Sequence, residues 1–200
     1  MRIRQHVNPL KSDFFTIAIE PVVVPPGAAV EVELGSAEAH FLIERAAEAP
    51  AGFYVGVEIR RDRVEGANTD CARRGLGNVT SVFANMSVDL PRLFAPGSAR
   101  RFWLNFPDPW FKARQHKRRV VSPALAAELD GLLGPGGEVF VATDVFDIAL
   151  DAMAALEERF VNLVAPWSFL RASPVAARSR RERQCQDEGA PIWRLGYRKR

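Results

Sequence analysis

The stretch from residue 102 to residue 119 carries the side chains best suited to chemistry. It opens on apolar residues typical of a buried strand and then places one carboxylate between two prolines, in the order Phe-Pro-Asp-Pro-Trp. An X-Pro bond keeps the preceding residue out of the α-helical conformation, so the sequence predicts that Phe106 and Asp108 are both extended. The strand is therefore expected to end in a stiff loop that aims the Asp108 carboxylate.

Five basic residues follow within eight positions, over residues 112–119, with no acidic residue among them. The Pro-Asp-Pro sequence and the basic run each have an ordinary structural explanation, since Pro-Asp-Pro is common in turns and a basic run usually forms a solvated face. Their combination directly after a buried strand, flanked by Trp103, Trp110 and Phe111, favours a functional site. An aimed carboxylate beside concentrated positive charge suits a polyanion that carries a group to be positioned.

Length and composition fit one globular domain of 200 residues, with 48% hydrophobic and 26% charged residues. We expect no membrane segment, because no apolar run approaches spanning length and the N-terminus lacks a signal-peptide layout. Cys71 and Cys185 are isolated, which predicts reduced thiols in a cytoplasmic protein. His6, His40 and His116 show no ligand spacing, so we expect no metal.

The charge of the chain is segregated, although its net value is only +3. Residues 171–200 carry nine Arg or Lys against three acids, and residues 112–119 add five bases. These two segments together hold +11, which leaves −8 on the rest of the chain. A basic surface on an acidic body is typical of a nucleic-acid-binding protein.

Predicted strands and helices alternate along the chain. The predicted strands are 29–34, 53–58, 79–84, a segment from 102, and 138–142. The Gly-Pro-Gly-Gly run at 134–137 is predicted to form a tight turn into the last of these strands. The predicted helices are 36–49 with Ser36 as its cap, one ending near 74, one from Ser122 and Pro123, and 146–160. This alternation predicts an α/β fold with a mostly parallel sheet and helices on both faces.

We predict a single domain over residues 1–200. Residues 1–28 are rich in proline and are expected to form an N-terminal arm. The basic segment 171–200 is expected to bind substrate, with further edge strands at 161–165 and 192–197.

The string FPDPW followed by KAR and then KRR resembles the signature of bacterial tRNA (guanine-N7-)-methyltransferases. The opening segment from Arg2 to Leu10 and the tripeptide that ends at Asp144 also resemble this family, so the resemblance spans nearly the whole chain. It implies a Rossmann-like methyltransferase fold, S-adenosyl-L-methionine as the cofactor, and tRNA as the partner. It also implies methyl transfer to N7 of a guanine, in the variable loop.

The resemblance assigns the cofactor site to the carboxyl ends of the strands, where ligands bind in such sheets. Its members there are Glu33, Gly35, Glu58, Asn85 and Asp108. The family pattern E-x-G-x-G-x-G is altered in this chain, because Ala37 and Ala39 stand where the later glycines are expected. A methyl group at either position is expected to crowd the approach of the cofactor to the backbone.

Two of these residues have structural alternatives that the sequence leaves open. Glu58 ends the second predicted strand, where a carboxylate accepts hydrogen bonds from ribose hydroxyls, or is simply a solvated strand-end acid. Asn85 follows the third strand and offers both a donor and an acceptor to an adenine edge, or serves as a turn residue.

On the substrate side, guanine N7 has a lone pair and no proton, so no strong base is needed there. A carboxylate that accepts hydrogen bonds from the opposite edge of guanine both aligns the ring and relieves its developing positive charge. We assign this catalytic role to Asp108 and expect Lys112 to hold the adjoining phosphate or base. Asp144 is a substrate contact by resemblance or a helix cap by local sequence.

The family also carries a T-x-x-E element near its C-terminus, which resembles Ser179 to Glu182. Both ends of the element are expected to bind substrate, but Arg181 replaces the usual aromatic residue.

Two other functions remain open from the sequence. One is a tRNA-binding paralogue whose altered glycine loop no longer supports methyl transfer. The other is a methyltransferase for an exocyclic amine, which the separated prolines and the basic run disfavour. The sequence allows a monomer or a homodimer.

Overall fold

A computed structural model describes residues 18–111 and 119–200. Among these residues the strands are β1 Val30–Leu34, β2 Phe53–Glu58, β3 Val79–Phe83, β4 Ala99–Asn105, β5 Leu133–Thr143, β6 Phe160–Asn162 and β7 Trp193–Lys199. The helices in the same ranges are α1 His40–Glu48, α2 Arg61–Arg73, α3 Leu90–Leu93, α4 Pro123–Leu132, α5 Phe146–Glu157 and α6 Arg180–Asp187.

The strands form one mixed sheet in the order β3-β2-β1-β4-β5-β7-β6. Strands β1 to β5 pair in parallel, whereas β7 runs antiparallel to both β5 and β6. This arrangement confirms the predicted mostly parallel sheet. The predicted C-terminal strands also form, but β7 lies between β5 and β6 and is not an edge strand.

Both faces of the sheet are covered, because alternate side chains of the strands pack in opposite directions. On one face Val32 and Leu104 join the core formed with α3, α4 and α5. On the other face Trp103 and Phe140 join Phe41 of α1 and apolar residues of α2. Helices on both faces are therefore confirmed, and they leave the carboxyl ends of β1, β2 and β4 as one shared edge.

Two local predictions are wrong. Ser36 does not cap α1, because the helix begins at His40 after Ala39, whose φ is 57°. The Gly-Pro-Gly-Gly run at 134–137 does not form a turn before β5 but belongs to that strand. The pairing with β4 passes from Ala99–Leu133 directly to Arg101–Glu138, so the extra residues are absorbed as an irregularity in the strand.

The helix cap predicted at Ser122 is confirmed. The Ser122 hydroxyl accepts a hydrogen bond from the Leu125 N–H at 3.2 Å, as a helix cap should. The described end of the arm lies on the core, where the Val22 N–H donates to the Leu93 carbonyl at 2.9 Å. No helix within residues 18–111 and 119–200 is long and apolar enough to cross a membrane.

Candidate active site

The carboxyl ends of β2, β1 and β4 lie side by side because these parallel strands are neighbours in the sheet. Glu58 ends β2, Glu33 is the penultimate residue of β1, and Asn105 ends β4. The structure therefore brings together two carboxylates expected from the sequence and an amide that was not. The signal for Asn105 was present, since it is a polar residue that ends an otherwise buried strand.

Glu33 is a buried carboxyl with only one of its oxygens hydrogen-bonded. Its Oε1 accepts from the Asn105 Nδ2 at 2.9 Å, while Oε2 is buried without a hydrogen-bond partner among the described residues. Burial raises the pKa of Glu33 to about 8; the Asn105 hydrogen bond opposes that rise, and the nearby Glu58 carboxylate adds to it. An unpartnered buried oxygen that resists ionisation fits a site completed by a cationic ligand.

Glu58 is engaged by its own chain. Its Oε2 accepts from the Ala37 N–H at 2.9 Å, and its Oε1 accepts from the Arg60 N–H at 3.0 Å. The Arg60 side chain also donates to both oxygens, at 2.9 and 3.1 Å. The carboxylate thus orders the loop after β1 from the end of β2, so it is more than a solvated strand-end acid. A ribose hydroxyl that donated to the Glu58 carboxylate would share it with Arg60.

The loop after β1 has a left-handed backbone at three small residues. Gly35 has φ 79°, and Ala37 and Ala39 have φ 47° and 57°, which are left-handed conformations that cost an L-residue about 1–2 kcal/mol. The loop also lies close to β2, where a Cβ added at Gly56 would lie 2.4 Å from the Ser36 Oγ. The two alanines therefore strain the loop.

Replacing Ala37 with Gly should raise the free energy of unfolding by about 0.5–1 kcal/mol, because relief of the left-handed strain exceeds the entropic cost of glycine. Ala37→Val is the matched control and should destabilise by more than 1 kcal/mol, roughly, since a β-branched residue tolerates this conformation least. Urea denaturation of both variants measures the difference. Equal destabilisation by Gly and Val would show that the Ala37 backbone is not strained.

Asn85 follows β3 in a buried turn. Its side-chain oxygen accepts from the Ser87 N–H at 3.0 Å, and its own N–H donates to the Asp89 carboxylate at 2.8 Å. The structure therefore gives Asn85 the turn contacts that were the alternative to adenine recognition. Its cofactor role stays a prediction.

The Asp108 loop begins with a sharp change of direction at the end of β4. The Phe106 N–H still pairs with the Ala142 carbonyl at 2.7 Å, but Phe106 has φ 53°. The prediction that Phe106 is extended is therefore wrong, because the residue avoids the α-helical region by entering the left-handed one. Asp108 lies near Arg60, and its charge contributes to raising the pKa of that guanidinium, after the larger effect of Glu58.

The substrate residues expected from the resemblance are mostly engaged within the chain. Asp144 pairs with Arg181, the residue that replaces the family aromatic. The Ser179 hydroxyl caps α6 by accepting from the Glu182 N–H at 3.2 Å. Glu182 is buried and pairs with Arg194 of β7 at 2.7 Å. Lys112 lies outside the described residues.

A cleft lies next to Asn105. It opens between β4, β5, β7 and residues 170–174, and its polar lining comes from Asn105, Ser173, Glu182 and Arg194. Trp103 and Phe140 stack below them with ring centroids 4.5 Å apart. Asn105 therefore borders both the buried Glu33 and the cleft that contains a predicted substrate residue.

Most of the basic side chains in segment 171–200 are paired with acids of the chain. The pairs are Arg178 and Arg194 with Glu182, Arg181 with Asp144, Arg183 with Glu44, Arg198 with Glu138, and Lys199 with Asp130. These contacts dock the segment on the body of the domain. The positive charge that it offers to a polyanion is therefore smaller than its sequence implies.

No group of three or more His, Cys, Asp or Glu side chains in the described part of the chain has the geometry of a metal site. Cys71 and Cys185 are buried free thiols.

Comparison with known proteins identifies the family of the chain. A family model described as "Putative methyltransferase" matches residues 28–195. The chain is 39% identical over 207 residues to the tRNA (guanine-N(7)-)-methyltransferase of Synechococcus sp. strain JA-3-3Ab, covering 100% of this chain and 86% of that relative. It is 34% identical to the enzyme of the same name from Synechocystis sp. strain PCC 6803, covering 97% and 95%.

Solved structures agree on the fold. The precorrin-6y C5,15-methyltransferase of Geobacter metallireducens superimposes with a TM-score of 0.61 at 16% identity, covering 86% of this chain and 81% of that one. This identity supports the Rossmann-like fold alone, whereas the near-full-length relatives carry the family. The chain therefore belongs to the tRNA (guanine-N7-)-methyltransferase family.

Proposed function

We propose that this protein transfers the methyl group of S-adenosyl-L-methionine to N7 of a guanine in tRNA, in the variable loop. The observation that carries the proposal is the relationship over the whole chain to enzymes of this name. The assembly of Glu33, Glu58 and the Asp108 loop at one edge of the sheet supports it, since this is where ligands bind in such folds.

The residues at this edge fit the cofactor. When bound, S-adenosyl-L-methionine supplies an electrophilic methyl group on a positively charged sulfur. The unpartnered Oε2 of Glu33 is suited to a cationic group, and Glu58 is placed to accept from ribose hydroxyls. Gly35 leaves room for close approach, and Asn85 and Asp108 complete the proposed contacts.

The reaction requires little proton transfer by the protein. Guanine N7 attacks the methyl carbon with its lone pair, the bond from carbon to sulfur breaks, and the bonding pair stays on sulfur. The ring gains one positive charge. Asp108 accepts hydrogen bonds from the N–H groups on the opposite edge of the ring, so it both orients guanine and offsets that charge. Lys112, Asp144, Ser179 and Glu182 are proposed to hold the substrate around it.

The proposal is tested by incubating the protein with methyl-labelled S-adenosyl-L-methionine and a tRNA transcript that lacks modifications. Label should appear at one guanine of the variable loop, in a form sensitive to the strand cleavage that N7 methylation permits. Label at an exocyclic amine or at no position would overturn the proposal. Calorimetry distinguishes the enzyme from a paralogue that only binds tRNA, since such a paralogue gives heat with tRNA but none with the cofactor.

The basic residues within 112–118 are proposed to contact tRNA phosphates. Neutralising Lys117 and Arg118 should weaken tRNA binding and reduce the slope of log K against log salt by about 1 for each phosphate that is no longer neutralised. Arg183→Ala is the matched control, because its charge is already paired with Glu44 and its removal should change the slope less. Filter binding at several salt concentrations measures both. A slope that the double variant leaves unchanged would remove this segment from the interface.

The remaining parts of the proposal concern organisation. We propose one domain over residues 1–200, an N-terminal arm at 1–28, and a C-terminal segment at 171–200 that borders the substrate. The protein is proposed to act in the cytoplasm, where tRNA is found, as a monomer or a homodimer.

A further inference from the structure

Arg119 is the last base of the run at 112–119, but its side chain turns inward. Only 11% of the side chain is exposed. The Nε group donates to the carbonyl of Pro109 at 3.0 Å, and Nη1 pairs with the Asp151 carboxylate on α5. One guanidinium therefore ties the Asp108 loop to α5.

The backbone of the Asp108 loop is one that surrounding contacts must fix. Two of its positions are prolines, which supply no N–H, and both Phe106 and Trp110 have left-handed backbones with φ of 53° and 43°. Conformations of this kind cost about 1–2 kcal/mol each and persist only when surrounding contacts fix them. The Phe106 N–H holds the start of the loop on β5. Arg119 holds its far end through the Pro109 carbonyl, one residue after Asp108.

Polar and apolar side chains meet where the loop faces α5. Asp108, Arg119 and Asp151 line this boundary together with four apolar residues, Pro107, Val120, Val121 and Ile148. The hydrogen bonds of Arg119 span it, so they add to the packing that fixes the direction of the loop. The forked guanidinium suits this position, since it can donate to a carbonyl and a carboxylate at the same time.

We propose that Arg119 and Asp151 form a positioning pair that clamps the Asp108 loop against α5, and that Arg119 is not a phosphate contact like its basic neighbours. This inference rests on the proposed function, because the role of Asp108 is assigned there. It adds Asp151, an acid of α5 outside every motif in the sequence, to the residues on which methyl transfer depends.

The two possible roles of Arg119 predict different effects of an Asp151→Asn substitution on methylation and on tRNA binding. In the clamp, Asp151→Asn weakens the hold on Arg119 and slows the reaction at saturating tRNA, while tRNA affinity is unchanged. For a phosphate contact, the same change frees a positive charge and tightens tRNA binding. Arg119→Lys separates the roles again, since lysine keeps the charge but cannot reproduce the fork.

The experiment measures single-turnover methylation at saturating tRNA, the Kd of tRNA at two salt concentrations, and thermal melting. Arg119→Lys and Asp151→Asn should each slow methylation about tenfold, the effect of a displaced positioning group, and change the Kd of tRNA less than twofold. Glu158→Gln is the matched control, an exposed acid at the end of the same helix, and should keep the original rate. Normal rates, or tighter tRNA binding by Asp151→Asn, would overturn the clamp.

Hydrogen exchange of the peptide that covers residues 104–111 gives a readout independent of activity. Both clamp variants should exchange faster there than the unmodified protein, with no change in β1 or β2. If the unmodified protein methylates no tRNA, the proposed function fails, and the exchange rates alone decide on the clamp. Unchanged exchange in this peptide would overturn it in either case.

Discussion

Replacing Asp108 with Asn should slow single-turnover methylation of tRNA roughly a hundredfold or more, the usual effect of removing one preorganised electrostatic contact. The substitution keeps the size of the side chain and the restriction imposed by the following proline. It removes the negative charge and turns one terminal oxygen into a donor that faces the donors of guanine. Rapid-quench measurements at saturating cofactor and tRNA follow the chemical step directly.

The stability of the fold should change little in the same variant. Asp108 lies in a loop and is only half-buried, outside the apolar core. Thermal melting and cofactor calorimetry therefore serve as controls. A variant that melts normally and methylates at the original rate would remove Asp108 from the mechanism, and one that unfolds would make it a structural residue.

Replacing Glu33 with Gln should make the cofactor-free protein more stable at pH 8, by on the order of 1–3 kcal/mol, while weakening cofactor binding. Glu33 has a pKa of about 8 when folded and 4.5 as its ordinary value, so the folded state holds the extra proton between these pH values. The free energy of unfolding therefore falls as pH rises from 4.5 to 8 in the unmodified protein. Glutamine imitates the protonated carboxyl and removes that decrease.

Cofactor affinity should depend on the same proton with the opposite sign. A cationic ligand favours the ionised carboxylate, so the Kd for S-adenosyl-L-methionine should fall as pH rises toward 8, by at most about tenfold per unit. In Glu33→Gln the Kd should be higher, and its remaining pH dependence is that of the ligand itself. Glu128→Gln on α4 is the matched control, because burial also raises the pKa of Glu128. An unchanged Kd in Glu33→Gln would remove it from the cofactor site.

The fold was predictable because its signals are local and repeated. The run from Phe53 to Glu58 is a fully buried strand with the predicted bounds, and the Ser122 cap lies where the sequence indicates. Errors arose where tertiary contacts override local preference. Ser36 does not cap the helix because its loop packs against Gly56, and the glycines at 134–137 were absorbed into β5 by its pairing with β4.

The site was predictable only in part. A motif identifies single residues, whereas their contacts with other residues determine what they do. Glu33 and Glu58 were expected from the sequence. The hydrogen bonds from Asn105 to Glu33 and from Arg60 to Glu58 were not, because no motif connects these residues. Likewise, a count of bases cannot separate Arg119, which is folded inward onto Asp151, from its neighbours in sequence. Such partners depend on register and helix placement, which only the structure supplies.

Methylation of tRNA in which every guanine is replaced by 7-deazaguanine tests the central claim most directly. This base carries C–H in place of N7, so it lacks the lone pair that attacks the methyl group, but it keeps the edge that Asp108 is proposed to bind. The protein should transfer no label to this tRNA, and the tRNA should still compete with the unsubstituted transcript for binding. Label incorporated at the rate of the unsubstituted transcript would contradict transfer to guanine N7.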